Sequence, residues 1–329
     1  MKKTAILVFA AGFLWNLVSP AFAQTAPGGQ GSPVTAQTKD EQKATKAEQA
    51  PIYDESADAK ADINAAIVRA GKENRRILVQ WGANWCGWCR LLHKLFHDDK
   101  SIARKLLYEY EVVLVDIGKF DKNTDLAESH DAFTNGFKKA GVPYLTVLDG
   151  DGRDLANQDT SVFETGKTYD PNKILDFLTK NQAAYFQAEE VLRKGLEKAG
   201  ASGRRVFLHF GAPWCGWCKR LEAWMARPDV APPLSKEFVE VKIDQDRMVG
   251  GKEIKVRFPG SEKGGIPWYA VLNPDGKVLV DSSFQGNNIG FPATDQEIAA
   301  FGEFLKKGTN SLSQPEIQKL LDTLKEPAK

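Results

Sequence analysis

The chain has only four cysteines in 329 residues. They form two Cys-x-x-Cys pairs, Cys86/Cys89 and Cys215/Cys218, so none is spare for a structural staple. Closing a loop of two residues constrains little of the unfolded chain, which argues that the pairs are not there for stability. An excess of charge is also missing. The net charge of +1 gives no reason to expect nucleic acid or an anionic membrane surface as a partner. The N-terminal apolar run, Ala5 to Val18 broken only by Asn16, is too short for a comfortable membrane span. From Gln24 to about Glu55 large apolar residues are nearly absent. Such a segment cannot bury enough surface to offset its ordering entropy, and it is expected to be a disordered tether.

What is present is enough for two domains. The length suits two ordinary domains and the apolar fraction of 42% can build their cores. At the N-terminus Lys2 and Lys3 precede the apolar run. Ser19, Pro20 and the small-residue pattern Ala21-Phe22-Ala23 follow it. This is the order of a secretory signal, cleaved near Ala23-Gln24. A periplasmic or secreted location is expected, with membrane attachment only if the signal is retained. The expected organisation is a signal at 1–23, a tether at 24–55, a first domain at 56–182 and a second at 183–329.

The two domains read as copies. Trp85-Cys86-Gly87-Trp88-Cys89 recurs as Trp214-Cys215-Gly216-Trp217-Cys218, 129 residues later. Over Arg75–Phe96 against Arg204–Met225, ten of 22 positions are identical. In the first copy a helix is expected over Ala57–Gly71, a strand over Arg76–Trp81 and one helix from Cys86 to about Tyr108. A strand over Glu111–Asp116 follows, then a polar helical stretch to Ala140, a strand over Pro143–Leu148 and a closing helix beginning at Lys173–Leu178. In the second copy, helices are expected over Ala188–Ala199, Cys215–Met225 and Gln296–Leu305. Strands are expected over Arg205–Phe210, Phe238–Asp244, Pro267–Leu272 and Val278–Val280. A final helix, Pro315–Leu324, has no counterpart in the first copy. Strands alternating with helices imply the α/β class, each copy a mixed central sheet flanked by helices.

Each cysteine pair follows a buried strand and opens an amphipathic helix, the context of a redox motif rather than half a zinc site. The first cysteines, Cys86 and Cys215, sit at the helix starts. Free amide groups and the helix dipole there stabilise a thiolate. Cys89 and Cys218 lie one turn on and are positioned to resolve a mixed disulfide. Two further readings stay open. One is a peptide- or protein-docking module without turnover. The other is copper or zinc handling by Cys86, Cys89, His93 and His97, the last three at i, i+4 and i+8 on one helix face. The second copy has Glu222 and Ala226 where the first has these histidines.

Both copies resemble thioredoxin domains. The resemblance rests on the strand, the Trp-Cys-Gly-x-Cys motif opening a helix, and a later Gly-x-Pro entering a strand: Gly141-Val142-Pro143 and Gly265-Ile266-Pro267. It covers nearly all of the chain from about residue 56. It implies a thiol–disulfide oxidoreductase of either direction, acting on proteins with cysteine thiols or disulfides and served by a redox partner. No organic cofactor is implied. It further implies cis bonds before Pro143 and Pro267, and a substrate groove made by Trp88, Val142 and Pro143 in one copy and by Trp217, Ile266 and Pro267 in the other. One departure is clear. Thioredoxin carries a buried acid six residues before its first cysteine, and here that position holds Gln80 and His209. Only His209 titrates near neutrality, and it is the candidate proton relay to Cys218.

Overall fold

The structure, a computed structural model, describes residues 50–325. The expected signal at 1–23 and most of the expected tether lie outside the described residues. The tether was expected to run to residue 55, and there the structure differs. Residues 50–55 are part of the fold, and Tyr53 is buried against the first cysteine pair. Its ring offers enough apolar area to anchor a segment that is otherwise polar.

Two four-stranded sheets form the core. The first contains β1 (Arg76–Gly82), β2 (Tyr110–Asp116), β3 (Tyr144–Leu148) and β4 (Asp154–Asp159), in the order β2-β1-β3-β4. The second contains β5 (Arg205–Gly211), β6 (Phe238–Asp244), β7 (Trp268–Leu272) and β8 (Val278–Asp281), in the order β8-β7-β5-β6. In each, the two seven-residue strands run parallel (β1 with β2, β5 with β6) and the other pairings are antiparallel. Six of the seven residues of β1 are fully buried, and β5 is the same. Helices cover both faces, which is why these strands read as continuous apolar runs instead of alternating.

In the first domain α1 (Ala59–Glu73) packs on the Ile77, Val79 and Trp81 face. The opposite face carries Leu78 and receives α2 (Gly87–Asp98), α3 (Lys100–Glu109) and α4 (Pro171–Asn181). The single helix expected from Cys86 to Tyr108 is therefore two. Asp99 breaks it, because its carboxylate accepts from the Ser101 and Ile102 amides at 2.9 and 3.0 Å and caps a new helix. The polar helical stretch expected before Ala140 is likewise broken, into Thr124–Glu128, a π-turn at Phe133–Phe137 and Lys138–Ala140. Asn123 and Asp131 take positive φ at its joints.

In the second domain α5 (Ala188–Ser202) matches α1 and α6 (Gly216–Met225) matches α2. α7 (Asp295–Gly308) takes the place of α4, and the second domain adds α8 (Gln314–Leu324); together they bring Phe301, Phe304, Leu320 and Leu324 into one core with Trp224 and Phe207. The indole of Trp224 donates to Thr323 Oγ1 at 2.8 Å, tying α8 to the helix of the second cysteine pair.

The domains pack head to tail. Arg247, just beyond β6, reaches the start of the first sheet. It donates to Glu109 Oε2 at 3.1 and 3.2 Å and to the carbonyls of Glu73 and Asn74, each at 2.7 Å. Tyr185 of the connecting segment donates to the other Glu109 oxygen at 2.6 Å. Both members of the ion pair are almost fully buried. Glu73, Asn74 and Glu109 lie where β1 and β2 begin, whereas Cys86 lies beyond the end of β1.

Candidate active site

The same local logic builds both cysteine pairs. Cys86 and Cys215 are N-caps of their helices, with extended backbone, and each sulfur accepts from the amide of the second cysteine, at 3.0 and 3.1 Å. Each pair is joined by a disulfide, with Cα atoms 5.2 and 5.3 Å apart. Free helix-start amides and the helix dipole therefore converge on the first sulfur, and they favour its anionic form when the bond opens.

The proline loops meet these sulfurs. The Val142–Pro143 and Ile266–Pro267 bonds are both cis. The Val142 carbonyl oxygen lies 3.3 Å from Cys86 Sγ, and the Ile266 carbonyl oxygen 3.6 Å from Cys215 Sγ. Val142, Pro143, Ile266 and Pro267 thus stand beside the cysteines they were paired with from sequence. Tyr144 and Trp268, the next residues, face the core instead and are buried.

The four motif tryptophans divide differently. Trp85 and Trp214 are 56% and 54% exposed, each held by its indole N–H: Trp85 to the Gly118 carbonyl at 2.7 Å, Trp214 to Asp246 Oδ2 at 2.7 Å. Asp246 also accepts from Tyr108 of the first domain at 3.1 Å, so the second site is tied to the domain interface. Trp88 is half-buried against Tyr169, ring centroids 5.0 Å apart. Trp217 is 51% exposed, stacked on Phe291 with Arg220 over its face. Of the two, Trp217 presents the broader apolar face to solvent.

The second cysteines are buried and have unlike surroundings. Cys89 lies against the Tyr53 ring, and the Tyr53 hydroxyl accepts from Gln80 Nε2 at 2.6 Å. Burial pushes the Tyr53 phenol well above its usual range. Near Cys218 the corresponding space is bordered by Glu222, whose other oxygen accepts from Lys242 Nζ at 2.8 Å. Glu222 and Lys242 line a cavity of about 240 Å³ between the domains, together with Glu73, Ala212, Pro213 and Asp244. Burial raises the Asp244 carboxyl above the usual range.

His209 is fully buried on the α6 side of β5. Its Nε2 is 3.0 Å from Glu240 Oε1, and its Nδ1 has no partner among the described residues. The hydrogen bond from His209 holds the Glu240 carboxyl below its usual range. Cys218 Sγ lies 4.0 Å from the Phe210 carbonyl oxygen. The imidazole is bonded to the neighbouring strand, and among the described residues no hydrogen bond joins it to Cys218.

His93 and His97 pack on each other, ring centroids 4.5 Å apart. Burial, and then the charge of His97, lowers the His93 pKa. Among the described residues no group of three or more His, Cys, Asp or Glu side chains is placed to hold a metal. Cys89 is buried and bonded to Cys86.

Sequence reasoning missed Tyr53, Glu222, Asp246 and Arg247. The one available signal was Tyr53 itself, an aromatic residue just ahead of the first helix in a stretch otherwise poor in large apolar residues.

A family model described as thioredoxin-like matches residues 58–150 and 187–274. Among curated proteins the chain is similar to protein disulfide-isomerase erp38 of Neurospora crassa, 26% identical over 203 residues, covering 58% of this chain and 49% of that one. It is also similar to protein disulfide-isomerase tigA of Aspergillus niger, 27% identical over 194 residues, covering 53% and 46%. The chain thus spans about half the length of the curated relatives it matches. Among solved structures it is similar to a disulphide isomerase from Xylella fastidiosa, with 27% identity, coverage of 40% of this chain and 97% of that one, and a TM-score of 0.36.

Proposed function

Because the chain belongs to the thioredoxin-like family, whose model matches more than half of it in two tandem domains, we propose that it is a thiol–disulfide oxidoreductase acting on protein cysteines. The observation that carries this is the paired geometry: in each domain a disulfide begins at a helix N-cap, with a proline-loop carbonyl against its first sulfur.

In the reductive direction a Cys86 or Cys215 thiolate attacks a substrate disulfide. A bond forms between the two sulfurs, and the other substrate sulfur leaves and takes a proton. Cys89 or Cys218 then attacks the first cysteine, expels the second substrate thiol and closes the intradomain disulfide. Two electrons pass to the substrate, and an external dithiol must return them. The oxidative direction is the reverse. Substrate chain is proposed to lie along Val142 and Pro143 beside Trp88, and along Ile266 and Pro267 beside Trp217. Its backbone would pair with the extended loop as an added strand. Because the relatives named above are disulfide isomerases, proteins with mispaired cysteines are a substrate class to test. The N-terminal segment supports export, and a periplasmic or secreted location is part of the proposal. So is the domain division near residue 183.

The test is reduction of a protein disulfide by the full chain with an added dithiol. Cys86→Ser with Cys215→Ser should abolish turnover. Cys89→Ser and Cys218→Ser should accumulate mixed disulfides with the substrate, seen by mass spectrometry. Binding of unfolded protein that survives in a variant with all four cysteines changed to serine, with no turnover in the parent, would favour a docking module instead.

A further inference from the structure

The two resolving cysteines differ in one respect that the exchange chemistry leaves unused. Tyr53 is 1% exposed and packs with Cys86 and Cys89 in a small cluster of its own. Its backbone is strapped down. The Ile52 and Tyr53 amides donate to Asn84 Oδ1 at 2.9 and 3.0 Å, Asn84 Nδ2 returns a bond to the Tyr53 carbonyl at 2.9 Å, and Arg90 Nη1 holds the Ala50 carbonyl at 3.0 Å. Asn84 and Arg90 flank the motif itself, so the strap is built from the residues around the cysteines.

The hydroxyl is aimed as well as buried. A side chain at Gly82 would collide with the Tyr53 hydroxyl and would lie 2.8 Å from Cys89 Sγ. Oxygen and sulfur therefore flank a single point that only glycine leaves open. The hydroxyl oxygen accepts from Gln80 Nε2 at 2.6 Å, and with the amide in this orientation the phenolic proton is left uncommitted. The Gln80 oxygen is itself buried without a partner. Reduction leaves Cys89 as a buried thiol, and any thiolate that forms there as pH rises needs a donor, since burial alone disfavours the charged form. In the second domain the matching point at Gly211 is 3.7 Å from both Cys218 Sγ and a Glu222 oxygen, and no phenol stands there.

We propose that Tyr53 donates a hydrogen bond to the Cys89 sulfur once the first pair is reduced, and so biases that pair, and not the second, toward its dithiol form. The phenol keeps its proton throughout. With glutathione as reductant, the disulfide and two glutathione thiols become the dithiol and one glutathione disulfide, and Tyr53 changes only the relative stability of the two sides. Burial keeps the phenol protonated far above neutral pH, so it remains a donor wherever thiols ionise. The inference rests on the oxidoreductase reading for its significance, but not for its test.

The experiment is the equilibrium of the first pair with glutathione buffers, in the full chain carrying Cys215→Ser and Cys218→Ser, read by alkylation and mass. Near neutral pH Tyr53→Phe should shift the constant toward the disulfide by roughly three- to tenfold, the range of one ordinary hydrogen bond. The shift should grow as pH rises through the thiol range, which a packing role would not produce. The same substitution with Cys86→Ser and Cys89→Ser should leave the second pair unmoved. An unchanged constant for the first pair, or an equal shift in both, overturns the proposal. Should Tyr53→Phe fail to fold, 3-fluorotyrosine at position 53, a stronger donor of the same shape, should move the constant toward the dithiol, and no movement overturns it. This equilibrium needs no turnover, so a null result leaves protein disulfide exchange standing.

Discussion

Two glycines at matched positions, one before each motif, carry different loads. A Cβ at Gly82 meets the Tyr53 ring and Cys89, whereas one at Gly211 meets Cys218 and Glu222 only at ordinary contact distances of 3.5–3.7 Å. Neither glycine has a positive φ, so the difference is one of space alone. Gly82→Ala should cost about 1–3 kcal/mol by overpacking, and Gly211→Ala should cost well under 1 kcal/mol. Urea denaturation of the two variants checks this, and equal losses would refute it. His209 carries a pH dependence. It holds the folded-state pKa of Glu240 below the ordinary value. A depressed carboxyl contributes stability above its unfolded pKa and loses it as pH falls through the folded one. His209→Gln removes that contribution. The deficit against the parent should be largest near neutral pH and shrink below about pH 4, read as the urea midpoint against pH. The same variant tests His209 as a relay, since an unchanged pH profile of exchange at the second site would make it a packed partner of Glu240 and nothing more.

At the scale of elements, the break between α2 and α3 is the informative departure. Leu91, Leu92, Leu95, Phe96 and Ile102 keep apolar spacing across it, so periodicity alone runs the helix through. The break depends on one carboxylate that caps two amides. Asp99→Ala should destabilise the first domain by about 1 kcal/mol, seen as a lower unfolding midpoint with the cysteine pairs still closed. The strand β4 was not read from sequence for a related reason. Asp154–Asp159 is polar, half-exposed and at a sheet edge, and it is recruited by pairing with β3 rather than by a pattern of its own.

At the scale of the whole molecule, head-to-tail packing separates the two pairs. Cys89 is level with Gly82 at the end of β1, and the second domain docks where β1 begins. Seven residues of strand lie between, roughly 20 Å at about 3.3 Å per residue. Exchange needs sulfurs in contact, so the pairs should not pass electrons to each other within one chain. A variant keeping only Cys86 and Cys215 should form no intrachain bond between them, by peptide mapping of dilute oxidised protein. The packing is held by a buried ion pair, and Arg247→Met leaves Glu109 without its cation. A loss of about 3–5 kcal/mol is expected, as a drop in the unfolding midpoint. A loss below 1 kcal/mol would show that the interface does not depend on this pair.

The sequence by itself determined the repeat, the α/β class, both cysteine pairs and the proline loops, because each is a local pattern. Strand hydrophobicity, helix-start chemistry and a fixed spacing between two sulfurs need no knowledge of distant residues. Arg75–Phe96 and Arg204–Met225 could therefore be aligned and read before any fold was known. Tertiary structure alone decided what surrounds the sulfurs. Tyr53 reaches Cys89 from 36 positions upstream, out of a stretch whose composition argues for disorder. Glu222 and Lys242 meet Glu73 only because one domain's leading end rests on the other's trailing end. His209 belongs to Glu240 because β5 lies beside β6 in that register. These contacts come from packing between segments far apart in the chain, and no periodicity within any one segment encodes them.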